Sequence, residues 1–116
     1  MEPPPYHRPP RPADLEARIA YRPTDAGGRK TPVCSGYRPD HDFGLTGELH
    51  CALHEYLERR CVEPGTDAKA LLWLLAPEVQ RGRFYPGLRF TVQEGAKVVG
   101  HGEVVTVLNR ELARDS

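Results

Sequence analysis

Hydrophobic and polar residues alternate along most of this chain with a period of two. In Leu15–Tyr21 the apolar positions Leu15, Ala17, Ile19 and Tyr21 face one way while Glu16 and Arg18 face the other, which predicts a half-buried strand. Residues 88–95 repeat the pattern, with Leu88, Phe90 and Val92 inward and Arg89, Thr91 and Gln93 outward. Residues 102–109 (GEVVTVLN) read as a final β-branched strand. Residues 36–45 form a strand interrupted by Pro39, which belongs at an edge or bulge, and residues 46–53 form another, opened by Gly47.

Two segments are less regular. Residues 52–61 place Leu53, Tyr56, Leu57 and Arg60 at helical spacing in residues that favour helix, so a helical turn or irregular excursion is expected over 53–60. The apolar run at 68–77 suits a buried helix by propensity alone. Its short length and the Pro-Gly and Pro that bracket it favour a buried strand. Six short strands joined by Gly/Pro turns predict an all-β antiparallel barrel or sandwich, and closure into a barrel removes exposed edges.

The ends read differently. Residues 1–12 (MEPPPYHRPPRP) contain six prolines and cannot join a helix or a central strand. Residues 1–13 are expected to be a flexible arm of polyproline II character, without which the barrel folds. An alternative role as ligand for an aromatic groove draws on Pro9, Pro10 and Pro12 with Arg8 and Arg11. Residues 14–110 make the folded unit, and 111–116 a polar, frayed tail.

A length of 116 residues fits one small domain with one core. Sixteen basic and sixteen acidic residues cancel, so no global field draws the chain to nucleic acid or membrane. No apolar run approaches the ~20 residues that span a bilayer, and the first residues lack a signal-peptide core. Cys34, Cys51 and Cys61 are odd in number and not closely spaced. Reduced thiols and a cytoplasmic location are the expectation, with Cys34 a buried small hydrophobe rather than a nucleophile.

Residues 25–32 (DAGGRKTP) resemble a phosphate loop only superficially. Such a loop needs G-x-x-x-x-G-K-[ST]. Here Arg29 precedes Lys30, and no glycine lies four residues before Gly28. His50, Cys51, His54 and Cys61, with His41 and Asp42 nearby, invite a metal reading, but they lack a recurring zinc spacing, and alternation would aim His50 and Cys51 to opposite sides. Trp73, among apolar neighbours, is read as core. No grouping of nucleophile and base names an enzyme, and no cofactor is implied.

The order of Gly27-Gly28-Arg29, Thr31-Pro32, Gly36-Tyr37-Arg38-Pro39 and Phe90…Glu94-Gly95…Val99-Gly100…Gly102 resembles the C-terminal barrel, domain 3, of the translation elongation factor Tu family. The likeness runs from about Leu15 to Asn109. It implies a six-stranded antiparallel closed β-barrel and a non-catalytic binding module linked to translation. The GTPase domain of that family has no counterpart here, so no nucleotide is expected to bind this chain alone. The resemblance implies contact with aminoacyl-tRNA through Arg29, Lys30, Thr46, Glu94 and Gly95, or with a protein of the elongation-factor system. No membrane partner is implied. Asp40, where the family usually has glutamine, and Ala76, where a lysine often lies, both disfavour a polyanion. An alternative is therefore a protein-interaction module that mimics the barrel and binds a protein instead of tRNA. Two apparent insertions, between Gly47 and Pro64 and between Pro77 and Gly87, set this chain apart. The second brings Arg81, Arg83, Phe84 and Tyr85, which could form a contact loop or fold back on the barrel.

Overall fold

The computed structural model describes residues 2–45 and 47–115. Its strands are β1 (Leu15–Tyr21), β2 (Val33–Cys34), β3 (Asp40–Asp42), β4 (Leu49–Tyr56), β5 (Cys61–Val62), β6 (Asp67–Leu74), β7 (Arg89–Glu94) and β8 (Lys97–Val107). Six of them close into a barrel in the order β1-β6-β4-β3-β7-β8, and β8 returns to pair with β1. Every pairing in the barrel is antiparallel. The all-β closed barrel expected from the sequence is the observed fold.

Alternation decides what fills it. Leu15, Ala17, Ile19 and Tyr21 of β1 are buried, as are Ala68, Ala70, Leu72 and Leu74 of β6 and Phe90 and Val92 of β7. The β8 strand begins earlier than its apolar pattern suggests, because Gly95 (φ +61°) turns the chain between Glu94 and Lys97; glycine at the first central position suits a tight hairpin. Gly102 makes room for its cross-strand partner: a Cβ there would lie 2.2 Å from the Phe90 ring.

Of the helical turn or irregular excursion expected over 53–60, no helical turn forms, and the irregular part is confined to 57–60 between β4 and β5. The β4 strand runs through Tyr56, paired with β6 from Ala52↔Leu74 to Tyr56↔Ala70. Ladder pairing and the burial of Ala52, His54 and Tyr56 outweigh helix propensity, which is only a weak preference.

The barrel ends are closed differently. At the Tyr21 end, β2 and β5 pair as a two-stranded ribbon, Val33↔Val62 and Cys34↔Cys61, and both valines join the core. Cys34 and Cys61 form a disulfide. This corrects the expectation of reduced thiols; the ribbon register makes the two cysteines direct neighbours despite the distance between them in sequence. At the Leu15 end, Phe84 packs edge-on to Phe43 at 4.9 Å, so the Arg/aromatic insertion folds back on the barrel. Leu112, in the tail read as frayed, is fully buried beside it, with the Phe84 N–H bonded to the Leu112 carbonyl at 2.8 Å.

Asp14 ties that end together. Its carboxylate is fully buried and accepts from the Leu74 N–H (2.7 Å), the Asn109 amide (2.9 Å) and Arg11 (3.0 Å). Its carbonyl accepts from the N–H groups of Leu108 and Asn109. The chain entering β1, the end of β6 and the exit from β8 are thereby joined.

The interior also holds a chain of polar side chains. His41 and His54 are fully buried, with their Nε2 atoms 2.7 Å apart. His41 Nδ1 lies 2.9 Å from the His50 carbonyl, which can only accept. His41 therefore donates from Nδ1 and, when neutral, accepts at Nε2 from His54. His54 Nδ1 then accepts, with the Tyr21 and Tyr56 hydroxyls at 3.2 and 3.3 Å and hydrogen-bonded to each other. Neutral rings satisfy this chain. Burial lowers the His41 pKa to about 4, and burial followed by the neighbouring His41 lowers that of His54.

Two predictions follow from these contacts. The unfolded histidines titrate near 6.5, so unfolding takes up protons below that value, at a stability cost of about 1.4 kcal/mol per pH unit for each proton. Stability is fully present above pH ~6.5 and lost as pH falls toward ~4. A melting temperature that stays flat from pH 7 to 5 would contradict this. Separately, the disulfide spans a sequence separation of 27. Replacing both cysteines by serine is expected to remove about 3.5 kcal/mol, as chain entropy predicts for a loop of that size. Urea unfolding of the double variant beside the wild type measures it.

Candidate binding rim

The loop after β1 is shaped by a short 3₁₀ turn, Thr24–Ala26, capped by Gly27 in the left-handed region (φ +93°). Gly28 then passes so close to the preceding backbone that a Cβ would lie 2.1 Å from the Arg22 carbonyl oxygen. Its N–H bonds the Pro23 carbonyl at 2.9 Å, and its own carbonyl accepts from Lys97 at 3.3 Å. The two glycines thus fold the loop back onto the barrel end. Arg29 emerges pointing across the rim, not into solvent.

There Arg29 meets Glu94. The two form an ion pair, and Arg29 also donates to the Thr31 hydroxyl at 3.1 Å. Its guanidinium lies over the Tyr37 ring, 5.1 Å from the centroid, and the Tyr37 hydroxyl donates to Glu94 at 2.5 Å. Burial pushes the Glu94 carboxyl up, but the Tyr37 hydroxyl and Arg29 outweigh it and hold the carboxyl below its usual range. Burial and then Glu94 push the Tyr37 phenol up, so it stays a donor. An exposed pair of this kind contributes roughly 0–1 kcal/mol; its role is to fix side-chain positions.

Of the residues the sequence nominated, Arg29, Glu94 and Gly95 converge at this end. Lys30 stands exposed on the same loop. Thr46 lies outside the described residues; Phe43, which opens the β3–β4 connection, belongs to the Phe84 end of the barrel. Tyr37 was visible only as part of the Gly36–Pro39 block, and its bond to Glu94 makes it a member of the rim. The strongest polar feature, the His41–His54 pair, was hidden by the helical reading of 52–61. Period-two parity of Ala52, His54 and Tyr56 was the available signal.

The histidine–cysteine cluster is dispersed. His41 and His54 point inward, Cys61 is in the disulfide, and Cys51 faces outward, its thiol 3.7 Å from the Arg38 carbonyl. Among the described residues no group of three or more His, Cys, Asp or Glu is placed to hold a metal ion, and no helix is long and apolar enough to cross a membrane. No protein-family model matches the chain.

Gly28→Ala is expected to cost ~2 kcal/mol or more, because backbone must move to admit the Cβ. Gly27→Ala meets nothing within 4 Å and should cost only the left-handed penalty, about 1–2 kcal/mol. Thermal unfolding of the two variants ranks them; equal losses would refute the close approach at Gly28.

Proposed function

We propose that the chain is a non-catalytic binding module linked to translation, similar to the third domain of elongation factor Tu but acting without a GTPase domain. The observation that supports this reading is the convergence of Arg29, Glu94 and Gly95 at one barrel end, with Lys30 exposed beside them. A cation on a rigid rim, a free lysine and the backbone of a tight turn suit the phosphates and 2′-hydroxyls of an A-form RNA stem. In this reading the ligand is aminoacyl-tRNA, the site of action is cytoplasmic, and no nucleotide, metal or cofactor takes part.

Two observations favour a second reading, in which the same rim meets a protein of the elongation-factor system. Glu94 already neutralises Arg29, which weakens the pull on a polyanion. A neutralised Arg29 held against Tyr37 is the composition of a protein contact, where tyrosine and arginine are enriched.

Salt titration separates the two. Binding of aminoacyl-tRNA through Arg29 and Lys30 should show a log–log salt slope of about −2, and Arg29→Ala with Lys30→Ala should flatten it toward zero. Equal tRNA affinity in that double variant would exclude the rim as the RNA site. Absence of tRNA binding at low salt, together with salt-tolerant capture of an elongation-factor protein, selects the second reading.

A further inference from the structure

The arm at the N-terminus supplies its own binding experiment. Trp73 is 4% exposed, yet it lies outside the hydrophobic core cluster. On β6 it alternates with the inward-facing Leu72 and Leu74, so its ring is on the outer wall, and the arm buries it. The Trp73 indole N–H donates to the Arg11 carbonyl at 2.8 Å, and the Arg8 guanidinium lies 5.9 Å from the ring centroid. Arg11 itself donates to the Leu74 carbonyl at 2.7 Å. Further along, Glu55 of β4 takes a two-pronged contact from Arg8 and the Tyr6 hydroxyl at 2.8 Å. Arg60 donates to the Pro4 carbonyl. Residues 4–11 thus run along the barrel wall, and Pro4 and Pro5 line one open cavity together with Arg29 and Tyr37.

We propose that the outer face of β4 and β6, centred on Trp73 and Glu55, is a recognition site for an extended, arginine-bearing proline-rich segment of a partner protein, and that the chain's own arm occupies it in cis. The chemistry is specific. An extended proline-rich strand has unpaired carbonyls and little conformational entropy to lose. An aromatic wall with an indole N–H donor reads both properties, which is how proline-rich ligands are bound elsewhere. Glu55 adds charge selection. Arg8 is the first cause of its lowered carboxyl pKa, ahead of the Tyr6 hydroxyl, so Glu55 is an anion waiting for arginine at a set spacing from the tryptophan. The arm does not fill the groove: a cavity of about 210 Å³ opens beside Pro9, Arg11 and Trp73, lined on its other side by Arg38, Cys51, Leu53 and Leu75. Leu75 is 72% exposed there. A partner segment with larger apolar side chains opposite this cavity gains that contact, which the arm leaves open. This proposal concerns a different face from the rim and does not rest on the translation-linked reading.

A cis occupant competes with any ligand in trans, and apparent affinity falls in proportion to the fraction of time the face is open. The probe is a fluorescein-labelled synthetic peptide of residues 2–12, titrated into the full chain and into the full-length double variant Tyr6→Ala, Arg8→Ala. Trp73 is the only tryptophan, so its emission reports whether the arm has left. The released variant is expected to show red-shifted emission and to bind the peptide at least about ten-fold more tightly than wild type. Adding Glu55→Gln to the released variant should weaken peptide binding without lowering the melting temperature. Adding Trp73→Phe should weaken it as well, by loss of the indole donor. Equal binding to wild type and released variant overturns the proposal, as does no binding despite a red shift. Unshifted emission, also after Arg11→Ala is added, overturns it too, because these contacts then do not hold the arm. Concentration-dependent dimers of the released variant in place of peptide binding would identify a second copy of the chain as the occupant and reject the partner-protein reading.

Discussion

The return of β8 to β1 is the constraint on which the rest of this structure depends. The strand pairing from Leu15↔Val107 to Tyr21↔Gly100 turns an open sheet, with two edges to protect, into a tube with none. A strand near the start of the chain must therefore find one near its end, the most costly kind of contact to close. Asp14 secures that junction from one side. A buried carboxylate is expensive unless its oxygens are fully engaged, and here backbone, amide and guanidinium donors from three parts of the chain engage it.

Closure also fixes what the interior can hold. A six-stranded tube is narrow, and inward positions on every wall come within reach of one another. That is why His41 on β3, His54 and Tyr56 on β4 and Tyr21 on β1 form one hydrogen-bonded chain. The chain has a direction imposed by the His50 carbonyl at its end, and every ring is neutral when the pattern is satisfied. A fully satisfied polar network specifies one arrangement of the strands that carry it, at the cost of sensitivity to any added proton. Phe43 and Phe90 pack against His41, and both histidines are fully buried, surroundings that disfavour a charge.

The outer wall presents two distinct surfaces. At the Tyr21 end, glycine geometry and an ion pair hold Arg29, Tyr37 and Glu94 in one place. Along β4 and β6, an aromatic residue and a carboxylate are covered by the proline-rich arm. Between them lies a cavity lined by Pro4 and Pro5 on one side and Arg29 and Tyr37 on the other.

The strands were legible in the sequence wherever alternation was clean. Leu15–Tyr21 appears in the structure with the predicted bounds, Leu88, Phe90 and Val92 are buried as the pattern of 88–95 requires, and the run at 68–77 is a strand as far as Leu74, although Leu75 is exposed. The convergence of the Arg29 loop with Glu94 was suggested only by resemblance, since nothing local links residues 65 positions apart. The rest needed the tertiary structure. Propensity misread 52–61 because pairing with β6, invisible locally, decides that segment. The disulfide was missed because the β2–β5 register, and not spacing along the chain, makes Cys34 and Cys61 neighbours. Trp73 was read as core; it is buried, but on the outer wall under the arm. The prolines of that arm rule out helix and central strand by their own geometry. Whether an extended segment is free or bound depends on what lies opposite it, and only the closed barrel places Glu55 and Trp73 there.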